Sequence, residues 1–235
     1  MVRQLSSPTR RLPAASFVSW WEPDPNAVSW QWCRVYHRSR RTPDGIIFRR
    51  YGPLYRFDHH HAADPPRLDP EDRRILYVGE DLATSACEVF GEAAVAYICP
   101  NYRVCIVAPT RKLAMYDLAS KGAAMAIGAL PALADGNEKR SLTQEWARAI
   151  YEDQPAGPEI VGIHYPSAYN GGRSLALWDC DRDIEVLRDT RGLLQDMPLN
   201  DSRIFLRFQV EMAERHINVK KVPERACKVC IRAAS

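Results

Sequence analysis

The sequence predicts an α+β fold in which central, mostly antiparallel β-sheets are flanked by helices. Residues 75–78 (Ile-Leu-Tyr-Val) form a short β-branched and aromatic run, typical of a buried strand, and lead into a helical pattern. Residues 160–164 and 174–178 are apolar runs separated by a short loop, as in an antiparallel hairpin. The chain has 235 residues, 46% hydrophobic and 26% charged, enough for one sizeable domain with a real core.

The stretch 74–92 (RILYVGEDLATSACEVFGE) is the centre of this organisation. Gly79 ends the strand, and Asp81 can cap a helix whose first turn carries Thr84. Glu88 lies at the flank of the apolar helix face, so we expect its carboxylate to point along the packing seam. A strand end that feeds a helix is a common ligand site in α/β proteins, although a solvated charge is the alternative for Glu88. The apolar face consists of Leu82, Ala86, Val89 and Phe90.

Two arginines lie in separate segments before the stretch 74–92. Arg34 lies in residues 30–37, which alternate as a strand does, and Arg56 lies in the segment Gly-Pro-Leu-Tyr-Arg-Phe at 52–57. A guanidinium group can bind two phosphate oxygens at once and keeps its charge at any working pH. A surface charge is the alternative for either residue.

Ser167 lies in a Tyr-Pro-Ser sequence at the start of a predicted loop over residues 166–172, with Asn170 three positions later. A serine in a turn ordinarily makes only a local backbone hydrogen bond. The sequence has no Gly-x-Ser-x-Gly elbow and no base beside Ser167, which argues against nucleophilic serine hydrolysis.

The Arg56 segment, the stretch 74–92 and the Ser167 loop resemble, in this order, the RES-domain family, which is named for its arginine, glutamate and serine. The resemblance extends over about residues 30–189. It implies an ADP-ribosyltransferase-like fold and a toxin that consumes NAD, with an Xre-type antitoxin protein as partner. Some members of this family split NAD with phosphate and others transfer ADP-ribose to a protein acceptor. Tyr55 departs from the family, which favours glycine at that position.

The resemblance also implies roles for individual residues. Glu88, Arg56 and Ser167 are the expected catalytic residues, and Glu88 would stabilise the ribose cation that forms when the nicotinamide–ribose bond breaks. The expected NAD-binding residues hold the pyrophosphate, the nicotinamide and the ribose; they are Arg34, Arg56, Tyr77, Ser167 and Asn170. NAD is a substrate in this hypothesis, and no metal is expected.

We predict three parts: a mobile N-terminal tail over residues 1–25, a RES-type catalytic domain over 26–190, and a C-terminal extension over 191–235 packed on the same domain. In the extension, residues 203–212 carry apolar side chains at every second position, which favours an edge strand. Residues 141–144 (Ser-Leu-Thr-Gln) read as a capping box before a helix over about 142–151.

Histidine and cysteine patterns give little support for a metal site. His59, His60 and His61 are adjacent, which does not suit zinc ligation, and we expect an exposed loop. The seven cysteines are scattered and odd in number, so we expect reduced, buried thiols. Cys227 and Cys230 form a CxxC pair, but a zinc ribbon needs a second pair and the sequence has none nearby.

The net charge of +3 does not by itself indicate a nucleic-acid or membrane partner. The sequence lacks a long apolar run and an apolar signal core, so we expect a cytoplasmic protein. One alternative function is a nucleic-acid-binding or ribonuclease-type toxin, suggested by the basic ends and six tryptophans. Another is a non-catalytic interaction domain of the same fold. The two terminal segments could also form a homodimer surface.

Overall fold

A computed structural model describes residues 4–24, 32–136 and 138–234. Its strands, in chain order, are β1 (Val18–Trp21), β2 (Cys33–His37), β3 (Tyr51–Gly52), β4 (Arg67–Leu68), β5 (Ile75–Gly79), β6 (Val95–Ile98), β7 (Tyr102–Pro109), β8 (Leu113–Asp117), β9 (Ile160–Pro166), β10 (Arg173–Trp178), β11 (Ile184–Val186), β12 (Asp196–Pro198) and β13 (Asn218–Lys221).

The helices of the described residues are α1 (Leu82–Phe90), α2 (Ala123–Ala126), α3 (Ala132–Asp135), α4 (Arg140–Asp153), α5 (Ser202–Ala213) and α6 (Lys228–Ala234). Within the described ranges, each helix is too short or too polar to cross a membrane.

A sheet of nine strands forms the centre of the described structure, in the order β1-β8-β9-β10-β5-β2-β7-β11, with β12 also paired to β7. Its neighbours are antiparallel except for the parallel pair β8–β9. The predicted hairpin is β9–β10, with Ser174 opposite Tyr165 in the register. The predicted α+β class with mostly antiparallel sheets is therefore confirmed.

Helices cover one face of this sheet in two groups. Trp146 and Ile150 of α4 pack on Ile163 and Trp178 from β9 and β10. On the other half of the sheet, α1 and α5 pack together over β2 and β7. Because side chains alternate along a strand, the opposite face carries a third apolar cluster that includes residues such as Leu76 and Val78.

The centre of the sheet is split where β2 and β5 meet. Their register is limited to Cys33 opposite Gly79, and beyond this pair the two strands separate. Arg49 instead exchanges backbone hydrogen bonds with Ile75, at 2.8 and 3.0 Å. This separation leaves a cavity between the strands and the helix α1.

The described part of the predicted N-terminal tail is packed against the domain, so the prediction of a mobile segment is wrong for these residues. β1 pairs with β8 over four residues, and Trp21 is buried. The Leu12 amide donates to Asp153, and Trp146 donates to the Ser6 carbonyl. Apolar burial and these hydrogen bonds hold the segment; residues 1–3 and 25 lie outside the described ranges, as do Trp30 and Gln31 of the predicted first strand.

The prediction of an edge strand over residues 203–212 is wrong, because this segment is helix α5. Its buried side chains, Ile204, Phe208 and Met212, recur every four residues, whereas Leu206 and Val210 are exposed. Apolar residues at every second position satisfy both periods, so the pattern misled the assignment.

The predicted capping box is also wrong. Helix α4 begins at Arg140, one residue before Ser141, and its N-cap, Lys139, makes no side-chain cap hydrogen bond. Thr143 instead donates to the Arg140 carbonyl.

The C-terminal segment packs on the domain through α5 and through β13, which pairs with β6 in parallel.

Candidate functional site

A tight turn between β5 and α1 positions Glu88. Asp81 caps the helix as predicted, because its carboxylate accepts a 2.7 Å hydrogen bond from the Thr84 amide. Gly79 is required there, since a Cβ atom would lie 2.6 Å from the Ser85 nitrogen. This turn places Glu88 in the last turn of α1, where its side chain is open to the cavity.

The Ser167 loop lies against the same helix. It is closed by hydrogen bonds between Ser167 and the backbone of Gly172 (2.7 Å) and Gly171 (3.0 Å). A Cβ atom at Gly172 would lie 2.1 Å from the Thr84 hydroxyl, so the close contact needs glycine. Asn170 donates to that hydroxyl at 3.2 Å, which fixes the loop to the helix and directs the Asn170 amide away from the cavity lining.

Glu88 and Ser167 are neighbours at the contact between α1 and the loop, and the Ser167 side chain is buried. Partial burial raises the pKa of Glu88 above its usual value, while the nearby Ser167 hydroxyl and the positive charge of Arg56 lower it. The site therefore combines a carboxylate that is open to the cavity with a hydroxyl group and a cation beside it.

Arg56 stacks on aromatic rings beside Glu88, with its guanidinium carbon 4.8 Å from the Phe57 ring centre and 5.5 Å from that of Tyr165. Its Nη2 donates to the carbonyls of Leu133 (3.3 Å) and Ala134 (3.0 Å). Its Nε and Nη1 are buried and have no acceptor among the described residues. A half-buried guanidinium with donors that lack an acceptor is suited to bind an anionic ligand.

Arg34 approaches the cavity from a different side of the sheet than Glu88. Strand alternation places Arg34 opposite Cys105, on the sheet face away from α1. Its Nη1 donates to the carbonyls of Gly45 and Ile47, at 3.3 and 2.9 Å, and burial lowers the pKa of its guanidinium to about 10. Arg34 borders the cavity only on the far side of the split between β2 and β5.

Tyr77 borders the cavity, but its hydroxyl is fully engaged. It donates to Asp58 at 2.8 Å and accepts from the Phe57 amide at 3.1 Å. Burial and the neighbouring Asp58 carboxylate raise the pKa of Tyr77 well above its usual value. The Tyr55 ring, at the position that departs from the family, packs edge-on to Tyr77 at 5.9 Å.

The expectation of an exposed histidine loop is wrong, because His59 and His60 are completely buried. His59 lies between the rings of Tyr151 and Trp178 and contacts Asp179 at 3.2 Å. Desolvation lowers the pKa of His60 to about 4. The His59 and His60 rings are therefore part of the packed interior, and residues that are distant in the sequence bury them.

The cavity has a volume of about 610 Å³, within the range of small-molecule sites. Our sequence reasoning missed several charged and aromatic side chains on its wall. Arg49 comes from the bridge to β5, and Arg140 is the first residue of α4. No sequence motif marks these residues, which the fold brings together; they include Arg49, Tyr55, Glu92, Glu138, Arg140, Tyr165 and Tyr169.

One group of side chains in the described structure could hold a metal ion. His37, Cys99, Cys227 and Cys230 place one ligand atom each within 4.8 Å of one another. The fold places His37 and Cys99 beside Cys227 and Cys230, a proximity that the spacing of the cysteines did not indicate. All seven cysteines are unpaired thiols, and six of them are buried, as predicted.

Comparison with known proteins gives a family. The fold is similar to a chain in the crystal structure of the M. tuberculosis MbcT–MbcA toxin–antitoxin complex, at 18% identity and a TM-score of 0.49, over 78% of this chain and 88% of that chain. No curated protein matches the sequence. The profile described as RES domain matches residues 50–199, more than half of the chain. The chain therefore belongs to the RES-domain family.

Proposed function

We propose that this protein cleaves the nicotinamide–ribose bond of NAD and transfers ADP-ribose to water, phosphate or a protein side chain. The observation that carries this proposal is the position of Glu88, whose carboxylate lies in the wall of a 610 Å³ cavity next to Ser167 and near Arg56. Membership of the RES-domain family, which the sequence resemblance links to NAD, supports the same substrate.

The chemistry follows from the charges of the site. When the bond between the ribose C1′ and nicotinamide breaks, nicotinamide leaves with the electron pair and the ribose becomes an oxocarbenium-like cation. A fixed carboxylate stabilises that cation and accepts a hydrogen bond from a ribose hydroxyl. In our proposal Ser167 donates to this carboxylate and orients it, from a hydroxyl that accepts a 3.3 Å hydrogen bond from the Tyr169 amide in the closed loop.

Arg56 supplies the opposite charge. Arg56 lines the cavity near the carboxylate, and its Nε and Nη1 donors have no acceptor among the described residues. In our proposal this guanidinium attracts the pyrophosphate and orients NAD, so that the leaving nicotinamide points away from Glu88. Tyr77 contributes its ring face, because its hydroxyl is already bonded to Asp58. The roles of Arg34 and Asn170 as direct NAD ligands stay predictions.

We further propose that the activity is toxic and is neutralised by an antitoxin protein with an Xre-type helix-turn-helix. The support is family membership together with the open cavity, which a bound partner could cover. If so, expression of the active chain alone should stop growth, and the Glu88→Gln variant should not.

The test is product analysis. The purified protein is incubated with NAD, with and without inorganic phosphate, and the products are identified by mass spectrometry. Free ADP-ribose indicates water as acceptor, a phosphorylated ADP-ribose indicates phosphate, and a mass increase of a protein indicates side-chain transfer. Absence of nicotinamide release under all conditions, with bacterial lysate as a source of acceptor proteins, contradicts the proposal.

A further inference from the structure

Four potential metal ligands from three parts of the chain converge at one end of the sheet. His37 is the last residue of β2, and Cys99 directly follows β6. Cys227 and Cys230 lie at the start of α6, in the C-terminal segment. Packing alone does not require three cysteines and a histidine to lie side by side. Their convergence therefore indicates a chemical role.

The distances between the ligand atoms fit tetrahedral coordination. Zinc binds thiolate sulfur at about 2.3 Å and imidazole nitrogen at about 2.0–2.1 Å, so tetrahedral ligand atoms lie about 3.4–3.8 Å apart. The His37 Nε2 atom lies 3.3, 3.5 and 3.8 Å from the sulfurs of Cys230, Cys99 and Cys227. The sulfurs of Cys99 and Cys230 are 3.6 Å apart. The four ligand atoms form six pairs, and the two atoms of every pair lie within 4.8 Å of each other.

A neighbouring side chain contacts one of the sulfurs. The Asn101 side-chain amide donates to the Cys230 sulfur at 3.5 Å. In metal sites, hydrogen bonds of this kind orient the ligand atoms.

Burial and ring packing preorganise the group. Cys99 and Cys227 are buried, while His37 and Cys230 are half-buried, so the sulfurs are shielded without being closed to an entering ion. The His37 ring packs edge-on against Tyr102 with the ring centres 4.8 Å apart. This contact fixes the direction of the imidazole towards the sulfurs.

We propose that His37, Cys99, Cys227 and Cys230 bind one Zn²⁺ ion in a closed structural site. Three thiolates and one imidazole are a common ligand set of structural zinc, and four protein ligands leave no position for a substrate. The ion ties α6 to the ends of β2 and β6, which holds the C-terminal segment on the domain. The site replaces our sequence-based expectation that no metal is bound.

The site is separate from the proposed catalytic group, yet it adjoins the same cavity. His37 and Tyr102 contribute to the cavity wall. We therefore expect metal removal to loosen the end of β2 and the C-terminal segment. The proposal does not depend on NAD chemistry, since metal content is measured directly.

The first experiment measures zinc in the purified full-length chain, prepared without chelators from zinc-supplemented medium, by elemental mass spectrometry. We expect one zinc ion per chain in the wild type and almost none in Cys230→Ala and Cys227→Ala. The matched control is Cys180→Ala, which removes a buried thiol outside the cluster and should keep the full zinc content. Wild-type protein without metal, or variants that retain all of it, would overturn the proposal.

Because loss of a ligand can also unfold the chain, a second measurement uses the wild type alone. The metal is removed under reducing conditions, Co²⁺ is added, and the absorption spectrum is recorded. Thiolate-to-cobalt charge transfer with the intense bands of tetrahedral Co²⁺ is expected, saturating at one ion per chain. No such spectrum, a disulfide among the three thiols in fresh protein, or iron or copper in place of zinc would each contradict the assignment to zinc.

Discussion

Two acidic groups near the cavity have opposite surroundings. Asp58 is completely buried and accepts hydrogen bonds from Arg49, Tyr77 and the backbone amides of residues 54 and 55. Glu88 faces the open cavity, with only the Ser167 hydroxyl and Arg56 near enough to lower its pKa. A carboxylate whose acceptor capacity is filled by the protein stabilises the fold, whereas one with unfilled capacity remains available to a ligand.

The comparison predicts that Asp58 matters for stability more than any other acid at the cavity. Asp58→Ala leaves Arg49 and the Tyr77 hydroxyl without their acceptor, and we expect the free energy of unfolding to fall by about 3 kcal/mol. Urea denaturation measures this change, with the exposed Asp64→Ala as control. An unfolding free energy equal to that of the wild type would contradict the structural role of Asp58.

Arg56 belongs functionally with Glu88 and should affect NAD binding. Arg56→Ala removes the unsatisfied guanidinium donors, so we expect the KM for NAD to rise roughly tenfold or more. Arg140→Ala is the matched control, because Arg140 lies at the same cavity but its side chain is largely exposed. An unchanged KM for NAD in Arg56→Ala would contradict the proposed binding of the pyrophosphate by Arg56.

Tyr77 is bonded to Asp58 and also lines the cavity that Glu88 faces. A substitution at Tyr77 therefore distinguishes an effect on stability from an effect on NAD consumption. Tyr77→Phe keeps the ring and removes the hydroxyl that bonds Asp58 and the Phe57 amide. We expect a loss of about 1 kcal/mol in unfolding free energy, since one buried hydrogen-bond pair is lost. The rate of NAD consumption in the folded variant should change little. A collapse of that rate would show that the hydroxyl, and not the ring, acts on the substrate.

The pH profile sharpens the role of Glu88. Its pKa is raised by burial, and the ionised form is the one that stabilises a cation, so kcat/KM should fall as the pH is lowered through that raised pKa. Ser167 lowers this pKa by its hydrogen bond, so in Ser167→Ala the acidic limb should move to higher pH. Movement of the limb to lower pH would contradict the contact between the two residues.

Sequence reasoning was most reliable where one local element sets the geometry. The cap of α1 and the β9–β10 hairpin follow from neighbouring residues, so Asp81, Glu88 and Ser167 were assigned to the correct elements. A helix and a loop that pack on each other then bring Glu88 and Ser167 together. The family resemblance supplied their pairing, which spacing alone would not have shown.

The errors arose where distant contacts decide the outcome. His59 is buried because Tyr151 and Trp178 enclose it, and neither is near it in sequence. The register of β2 with β7 places Arg34 on the other face of the sheet, although it still lines the cavity, so its role as an NAD ligand stays a prediction. The four potential zinc ligands lie between positions 37 and 230, so no local motif could connect them.

The central claim is that the Glu88 carboxylate stabilises the ribose cation of NAD. Its most direct test compares NAD consumption by the wild type, Glu88→Gln and the control Glu92→Gln, which alters another acid of the same cavity. We expect Glu88→Gln to be slower by a factor of about one hundred or more while keeping its fold, and Glu92→Gln to remain far closer to the wild type. A folded Glu88→Gln variant that consumes NAD at the wild-type rate would contradict the claim.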